Sequence, residues 1–334
     1  MIICRTPFRI SFFGGGTDYP VWYRKHGGSV LSTSIDKYCF ITCRRMPPFF
    51  DYRYRIRYFR DERVSRIDEI QHASVRECCR YLDVDEGIEI VHNADLPARS
   101  GLGSSSTFTV GLLHALHTLK QAIPTKRQLA LQAIHVEQEM IGENVGSQDQ
   151  TAAAFGGFNR IDFSGGKQPI VVSPIVMSSK RFEELQRHMM LFFTGFSRNA
   201  SDIAGEQIKN TRQNKIDLTT MHTLVDEALK ILLDSGTDLM EFGRLLHEQW
   251  RIKRTISTLI TNSEIDAIYE RGRQAGGIGG KLLGAGGGGF MLFFAKPEDH
   301  QRIKEAMSGL LHVPFKFEDL GSQIIYYSRH DQQF

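Results

Sequence analysis

The 334-residue chain has no long hydrophobic run: its longest strictly apolar stretch is residues 290–295, far short of the ~20 residues that a membrane-crossing helix needs. Cysteine is scarce. The five residues Cys4, Cys39, Cys43, Cys78 and Cys79 form an odd set without a Cys-x-x-Cys pair, which argues against a disulfide framework or a zinc ribbon and leaves free structural thiols as the expectation. Charge of one sign is lacking too. Forty-one basic against 38 acidic side chains leave +3, too even a balance for nucleic acid to be the main partner. Three catalytic signatures are missing: there is no Gly-x-x-x-x-Gly-Lys-[Ser/Thr], no Gly-x-Ser-x-Gly elbow, and His247-Glu248 is not followed by the second histidine of a zinc-protease helix. Residues 1–9, interrupted by Arg5 and Arg9, read as an opening strand rather than an export signal, so the cytoplasm is the expected location.

What is present is an ordinary globular balance, 41% hydrophobic and 24% charged, in a chain long enough for two domains of about 150 residues each. Alternation marks strands at residues 2–13, 29–43, 52–58 and 88–93, the third with Tyr52, Tyr54, Ile56 and Tyr58 on one face and Arg53, Arg55 and Arg57 on the other. Helices are expected at 67–82, 107–119 and 125–141, then at 218–233 and 239–259 in the second half, with later strands at 290–294 and 323–327 and a helix from about 297 between them. The pattern is α+β, with two intimately joined domains divided at about 1–178 and 179–334.

Glycine is the one excess, 31 residues, and it is concentrated in three places. The first is a strand running into a turn, Arg9-Ile10-Ser11-Phe12-Phe13-Gly14-Gly15-Gly16-Thr17-Asp18-Tyr19. An arginine there suits phosphate or oxyanion stabilisation, or a structural ion pair; an aspartate suits sugar hydroxyls. The second is Pro97-Ala98-Arg99-Ser100-Gly101-Leu102-Gly103-Ser104-Ser105-Ser106, leading into a helix. Small residues there let backbone N–H groups close on an anion at the positive helix end, and serine hydroxyls bind phosphate oxygen or magnesium; a plain helix cap is the competing reading. The third, Gly284-Ala285-Gly286-Gly287-Gly288-Gly289, runs into a strand rather than a helix, which opposes a dinucleotide turn and leaves close approach to a ligand or a neighbouring loop.

Taken in order, these three motifs resemble the GHMP kinases, the superfamily of galactokinase, homoserine kinase, mevalonate kinase and phosphomevalonate kinase, along essentially the whole chain. The resemblance implies a ribosomal protein S5 domain 2-like N-terminal domain and a ferredoxin-like C-terminal domain, with ATP bound between them. It implies that Gly101, Leu102, Gly103, Ser104, Ser105 and Ser106 hold ATP, and that Mg2+ sits on Ser105 and Glu137. Asp149, in Gly146-Ser147-Gln148-Asp149-Gln150, matches the family's catalytic aspartate, and Arg9 the basic residue beside the transferring phosphoryl group.

Asp18 matches the aspartate that binds sugar hydroxyls in galactokinases, whose neighbouring glutamate and histidine are here Gly15 and Gly16. Together with Thr194-Gly195-Phe196-Ser197-Arg198-Asn199-Ala200-Ser201, this turn is most similar to that of the heptose 7-phosphate kinases, which phosphorylate the anomeric hydroxyl. The expected acceptor is therefore a sugar phosphate, contacted by Gly16, Thr17, Asp18, Arg198, Gly286 and Gly287; Lys281 joins Arg198 as a candidate for a second anion site. The rival readings are a fucokinase-like sugar 1-kinase and a non-catalytic sugar- and ATP-sensing regulator. Neither nucleic acid nor membrane is expected as a partner, and a homodimer is left open. Residues 44–66 carry eight arginines among aromatics, either a solvated strand face or an anion-reading one.

Overall fold

The computed structural model describes residues 1–166, 169–195, 200–211 and 213–328. Among them no helix is long and apolar enough to cross a membrane. All five cysteines are buried and unpaired.

The first 12-residue strand, Ile2–Phe13, pairs antiparallel with the 18-residue strand Gly28–Arg45 and lies inside a nine-stranded sheet. Its main path runs Gln323–Tyr327, Ile2–Phe13, Gly28–Arg45, Ile88–Ala94, Tyr54–Arg57, Asp61–Val64. The second sheet is four-stranded and antiparallel, ordered Leu311–His312, Met189–Phe193, Phe290–Ala295, Gly277–Leu282. Numbered along the chain this is 4-1-3-2, the order of a ferredoxin-like unit. Two strands of the second half, Phe317–Glu318 and Gln323–Tyr327, join the first sheet, where the latter pairs with the outer edge of the first strand at Ile2, Ile3, Cys4 and Arg5. Over those residues the ladder of the first strand is paired on both sides.

Most expected elements form with shifted ends. Residues 67–82 divide into a 3-10 turn, Ile67–Glu69, and a helix, Ala73–Tyr81. The helix expected at 125–141 begins with a Thr125 capping box and is α-helical over Lys126–His135, then widens into a π-helical turn, Val136–Ile141. Such widened turns frequently occur at functional sites.

The two layers are joined by aromatic contacts. Phe13 packs edge-on against Phe242 at 5.1 Å, Phe12 meets the same ring at 5.6 Å, and Phe242 in turn meets Phe294 at 5.9 Å. Each such pair contributes about 0.5–1.5 kcal/mol beyond its buried area. Phe242 lies on the helix Met240–Ile256, whose buried stripe continues through Leu246, Gln249, Trp250, Lys253 and Ile256. The contacts between layers therefore fix that helix against the first strand.

Candidate active site

The first glycine turn is dictated by crowding. Gly14 has φ +79°, and a Cβ there would lie 1.9 Å from the Ser29 carbonyl oxygen. The Thr17 hydroxyl closes the turn onto the Gly14 carbonyl at 2.8 Å and accepts from the Ser29 N–H at 3.2 Å. Asp18 follows, 2% exposed, with Oδ1 accepting from Gly16 N–H at 2.9 Å and Oδ2 from Gln148 N–H at 3.4 Å. Burial pushes its carboxyl above the usual range, against the pull of those N–H donors.

The second motif opens the helix Ser104–Leu119 from a left-handed Gly103. Its first N–H groups have no partner within the helix and present partial positive charge. This loop is seated on the third motif: a Cβ on Gly101 would lie 2.4 Å from the Leu283 carbonyl oxygen, and one on Gly289 would lie 2.2 Å from that of Ser100. The third glycine cluster thus serves the approach of a neighbouring loop.

Arg9 connects these loops to a further element, the helix Gln148–Phe155. Its Nε and Nη2 donate to Asp149 Oδ1 and Oδ2, both at 2.8 Å, and its Nη1 donates to the Gly101 carbonyl at 2.9 Å. Arg9 is 3% exposed, whereas the Asp149 side chain is 27% exposed toward the cavity. Behind the serine loop lies Glu137, fully buried on the π-helical turn. Its Oε2 accepts from the Ser106 hydroxyl at 2.7 Å and from Gln150 Nε2 at 2.5 Å, while among the described residues Oε1 has no hydrogen-bond partner. Burial pushes this carboxyl up to about 7.

These parts face one cavity of about 460 Å3. Its walls include Arg9, Gly16, Asp18, Gly101, Gly103, Ser104, Ser105, Ser106, Asp149 and Lys281 among the expected residues. At another part of the wall Phe108 is stacked on His72 at 4.7 Å and meets the edge of His92 at 5.0 Å. A loop of small residues at a helix N-terminus, an arginine–carboxylate pair and a buried aspartate in one cavity are the parts of a phosphoryl-transfer site.

Comparison with known proteins agrees with that geometry. Residues 70–157 match the family described as GHMP kinases N terminal domain, and residues 224–312 match GHMP kinases C terminal. The chain belongs to the GHMP kinases. Among relatives of this GHMP kinase, the D-glycero-alpha-D-manno-heptose 7-phosphate kinase of Campylobacter jejuni is 29% identical, covering 91% of this chain and 92% of the relative. The L-fucokinase/L-fucose-1-P guanylyltransferase of Bacteroides fragilis is 25% identical over 91% of this chain but only 36% of its own length. A solved structure, of a D-glycero-D-manno-heptose 1-phosphate kinase from Bacteroides thetaiotaomicron, superposes with a TM-score of 0.75 at 25% identity, covering 98% of this chain and 100% of that one.

Several expected residues of the GHMP kinase stand elsewhere. Ser105 and Glu137 do not meet: the serine bonded to Glu137 is Ser106, because successive residues of a helix project about 100° apart and Ser105 is left exposed at the cavity wall. Thr17 is buried, with its hydroxyl engaged inside the turn, and Leu102 is a core residue that gives its carbonyl to Arg9 N–H at 3.2 Å; neither lines the cavity. Gly286 and Gly287 do not line it either. They pack against Ile260, whose carbonyl accepts from Gly287 N–H at 2.8 Å. Arg198 lies outside the described residues. The arginines of 44–66 are engaged largely with carboxylates, Arg44 with Glu89, Arg45 with Glu86, and Arg55 and Arg63 with Asp61, as a solvated strand face would be.

The residue that the sequence reading missed is Lys253. It is 5% exposed, lines the cavity and donates to the Gly284 carbonyl. Its signal was available: position 253 continues the buried spacing of 242, 246, 249, 250 and 256, where a lysine is costly without a purpose.

Proposed function

We propose that this ATP-dependent carbohydrate kinase transfers the γ-phosphoryl group of ATP to the anomeric hydroxyl of a heptose 7-phosphate. The observation that carries the reading is the convergence of the serine-lined helix N-terminus, the Arg9–Asp149 pair and buried Asp18 in a single cavity. Heptose is favoured as acceptor by the end-to-end match to the Campylobacter jejuni enzyme.

In this reading the phosphates lie on the N–H groups and hydroxyls of residues 103–106, and the Phe108, His72 and His92 rings border the nucleoside. Each Asp149 oxygen is hydrogen-bonded to Arg9 yet keeps a further lone pair to accept the proton of the acceptor hydroxyl. Arg9 fixes the carboxylate and offsets charge that develops on the transferring group. Asp18 binds a sugar hydroxyl. The test is ADP release with heptose 7-phosphate, free heptose, mannose, fucose, galactose, mevalonate and homoserine, with phosphorus NMR of the product. A new anomeric phosphate on heptose 7-phosphate alone is expected. Turnover of fucose instead transfers the reading to a fucokinase-like enzyme, and ATP binding without any turnover to a regulator.

Mg2+ fits the chemistry of Glu137. A buried oxygen without a partner calls for a cation, and magnesium takes one or two carboxylates together with substrate phosphates. Among the described residues no cluster of three or more acidic, histidine or cysteine side chains could hold a metal without such help. Glu137, with a serine of 105–106, would hold the ion, which supplies charge neutralisation for the phosphates.

A stability readout tests this. The folded value of about 7 lies above the ordinary 4.5, so the contribution is fully present below about pH 4.5 and is lost as pH rises through 7. The loss is on the order of 3 kcal/mol at about 1.4 kcal/mol per unit. Glu137→Gln is therefore expected to melt higher than the wild type at pH 8 without metal and to flatten the melting profile between pH 4.5 and 7. Mg2+ with a non-hydrolysable ATP analogue stabilises the wild type more than the variant. Identical melting profiles for the two proteins would remove Glu137 from the metal site.

A further inference from the structure

Three polar groups on the cavity wall have no part in the transfer described above. Among the described residues Ser11 Oγ and Gln148 Oε1 are buried without a hydrogen-bond partner, each an arrangement that costs about 1–3 kcal/mol unless a ligand completes it. They flank Gly15: a Cβ there would stand 3.8 Å from Ser11 Oγ and 3.7 Å from Gln148 Nε2, so the bare glycine leaves the space between them free. The third group is Lys253, whose ammonium gives one N–H to Gly284 and has two more to give.

The charges around Lys253 do not balance within the protein. Facing it are Arg9, Lys281, Asp18 and Asp149. Asp149 is taken by the Arg9 fork, and Asp18 is tied to backbone N–H groups and pushed toward its neutral form. Lys281 is anchored to the carbonyls of Ser11 and Phe12, both at 2.9 Å, which links the lysine pair to the Ser11 side of the turn. Among the described residues Lys253 has no ion pair. A cation nine-tenths buried and facing a cavity is stabilised by an anion, and a ligand in the cavity supplies one.

We propose that Lys253, Ser11 and Gln148 form the subsite for the distal end of the acceptor, with Lys253 binding its phosphomonoester and Ser11 and Gln148 its adjoining hydroxyls. This rests on the reading of the acceptor as a sugar phosphate. It assigns the anion site to a helix of the second half rather than to residues 44–66, where Arg44, Arg45, Arg55 and Arg63 are already paired with carboxylates.

The experiment compares heptose 7-phosphate with free heptose in the wild type, Lys253→Met, Lys253→Arg and the pair Ser11→Ala and Gln148→Leu. Lys253→Met is expected to raise KM for heptose 7-phosphate about 10–100-fold, the scale of one hydrogen bond to a charged group, and to leave KM for free heptose and for ATP within about threefold. Lys253→Arg restores the phosphate preference. Ser11→Ala and Gln148→Leu raise KM for both acceptors. Burial and the Arg9 guanidinium push Lys253 down to about 8, so wild-type kcat/KM for heptose 7-phosphate falls as pH rises through 8, and this limb is absent in Lys253→Arg.

If the wild type prefers the phosphorylated acceptor and Lys253→Met keeps that preference, the subsite is wrong and the acceptor reading stands. A parallel rise in KM for ATP with both acceptors assigns Lys253 to the nucleotide and overturns the proposal. If the wild type shows no preference for the phosphorylated acceptor, or turns over neither, the acceptor reading falls and the subsite with it.

Discussion

Asp149→Asn lowers kcat by about 10²–10⁴ while nucleotide affinity changes little, the range that a positioned general base contributes. The argument is one of lone pairs. Both oxygens of Asp149 accept from Arg9 at 2.8 Å, and the ionised carboxylate keeps capacity for one more donor. An asparagine offers one acceptor and an N–H2 group, so it holds half of the Arg9 fork, turns a donor toward the other half, and has no basic oxygen for the acceptor proton. The helix N-terminus is built on other residues, which is why ATP binding survives. Steady-state kinetics together with calorimetric titration of a non-hydrolysable ATP analogue check both halves. A variant with wild-type kcat would remove Asp149 from the path of the proton.

Gly101→Ala destabilises the protein by about 3 kcal/mol and weakens ATP binding with it. Two costs combine at this position. With φ +81° an alanine takes on left-handed strain of about 1–2 kcal/mol, and its Cβ would stand 2.4 Å from the Leu283 carbonyl oxygen, forcing a backbone shift worth about 1–3 kcal/mol. The shift separates Gly101 from the loop at Gly284 that packs on it and strains the Arg9 Nη1 bond to the Gly101 carbonyl, and so disturbs the helix start that carries Ser104–Ser106. Gly142→Ala is the control. It has φ +78° but nothing within 4 Å of the added atom, so only the conformational cost, about 1 kcal/mol, is expected. Denaturant melts of both variants measure the difference; equal losses would show that loop contact contributes nothing at residue 101.

Local pattern was a good guide where one side chain period dominated. The strand Ile2–Phe13 and the last strand Gln323–Tyr327 form over the expected residues, because alternation at period two is independent of partners. The end of the third expected helix was not legible. Nothing in residues 136–141 signals a π-helical turn, which depends on packing against the helices beside it. The active-site motifs were legible as motifs, and Arg9, Asp18, Asp149 and the serine loop do share a cavity. The partners within the site were not. Ser106 rather than Ser105 reaches Glu137, since which of two neighbouring serines faces inward is a matter of helix phase against a second element. Thr17, Gly286 and Gly287 belong to motifs with other residues on the cavity wall, but their own atoms are used in turn closure and loop packing.

By itself the sequence determined the α+β class, the family through three glycine motifs in order, and the residue types available for phosphoryl transfer, because each of these rests on local spacing. Only the tertiary structure decided which charges stand alone. Lys253 lies more than a hundred residues from Asp149 and more than two hundred from Arg9, and it comes to face them, without an ion pair among the described residues, only when Phe12, Phe13 and Phe242 bring its helix onto the first strand. Charge balance is a sum over neighbours in space, and those neighbours are set by packing rather than by order along the chain.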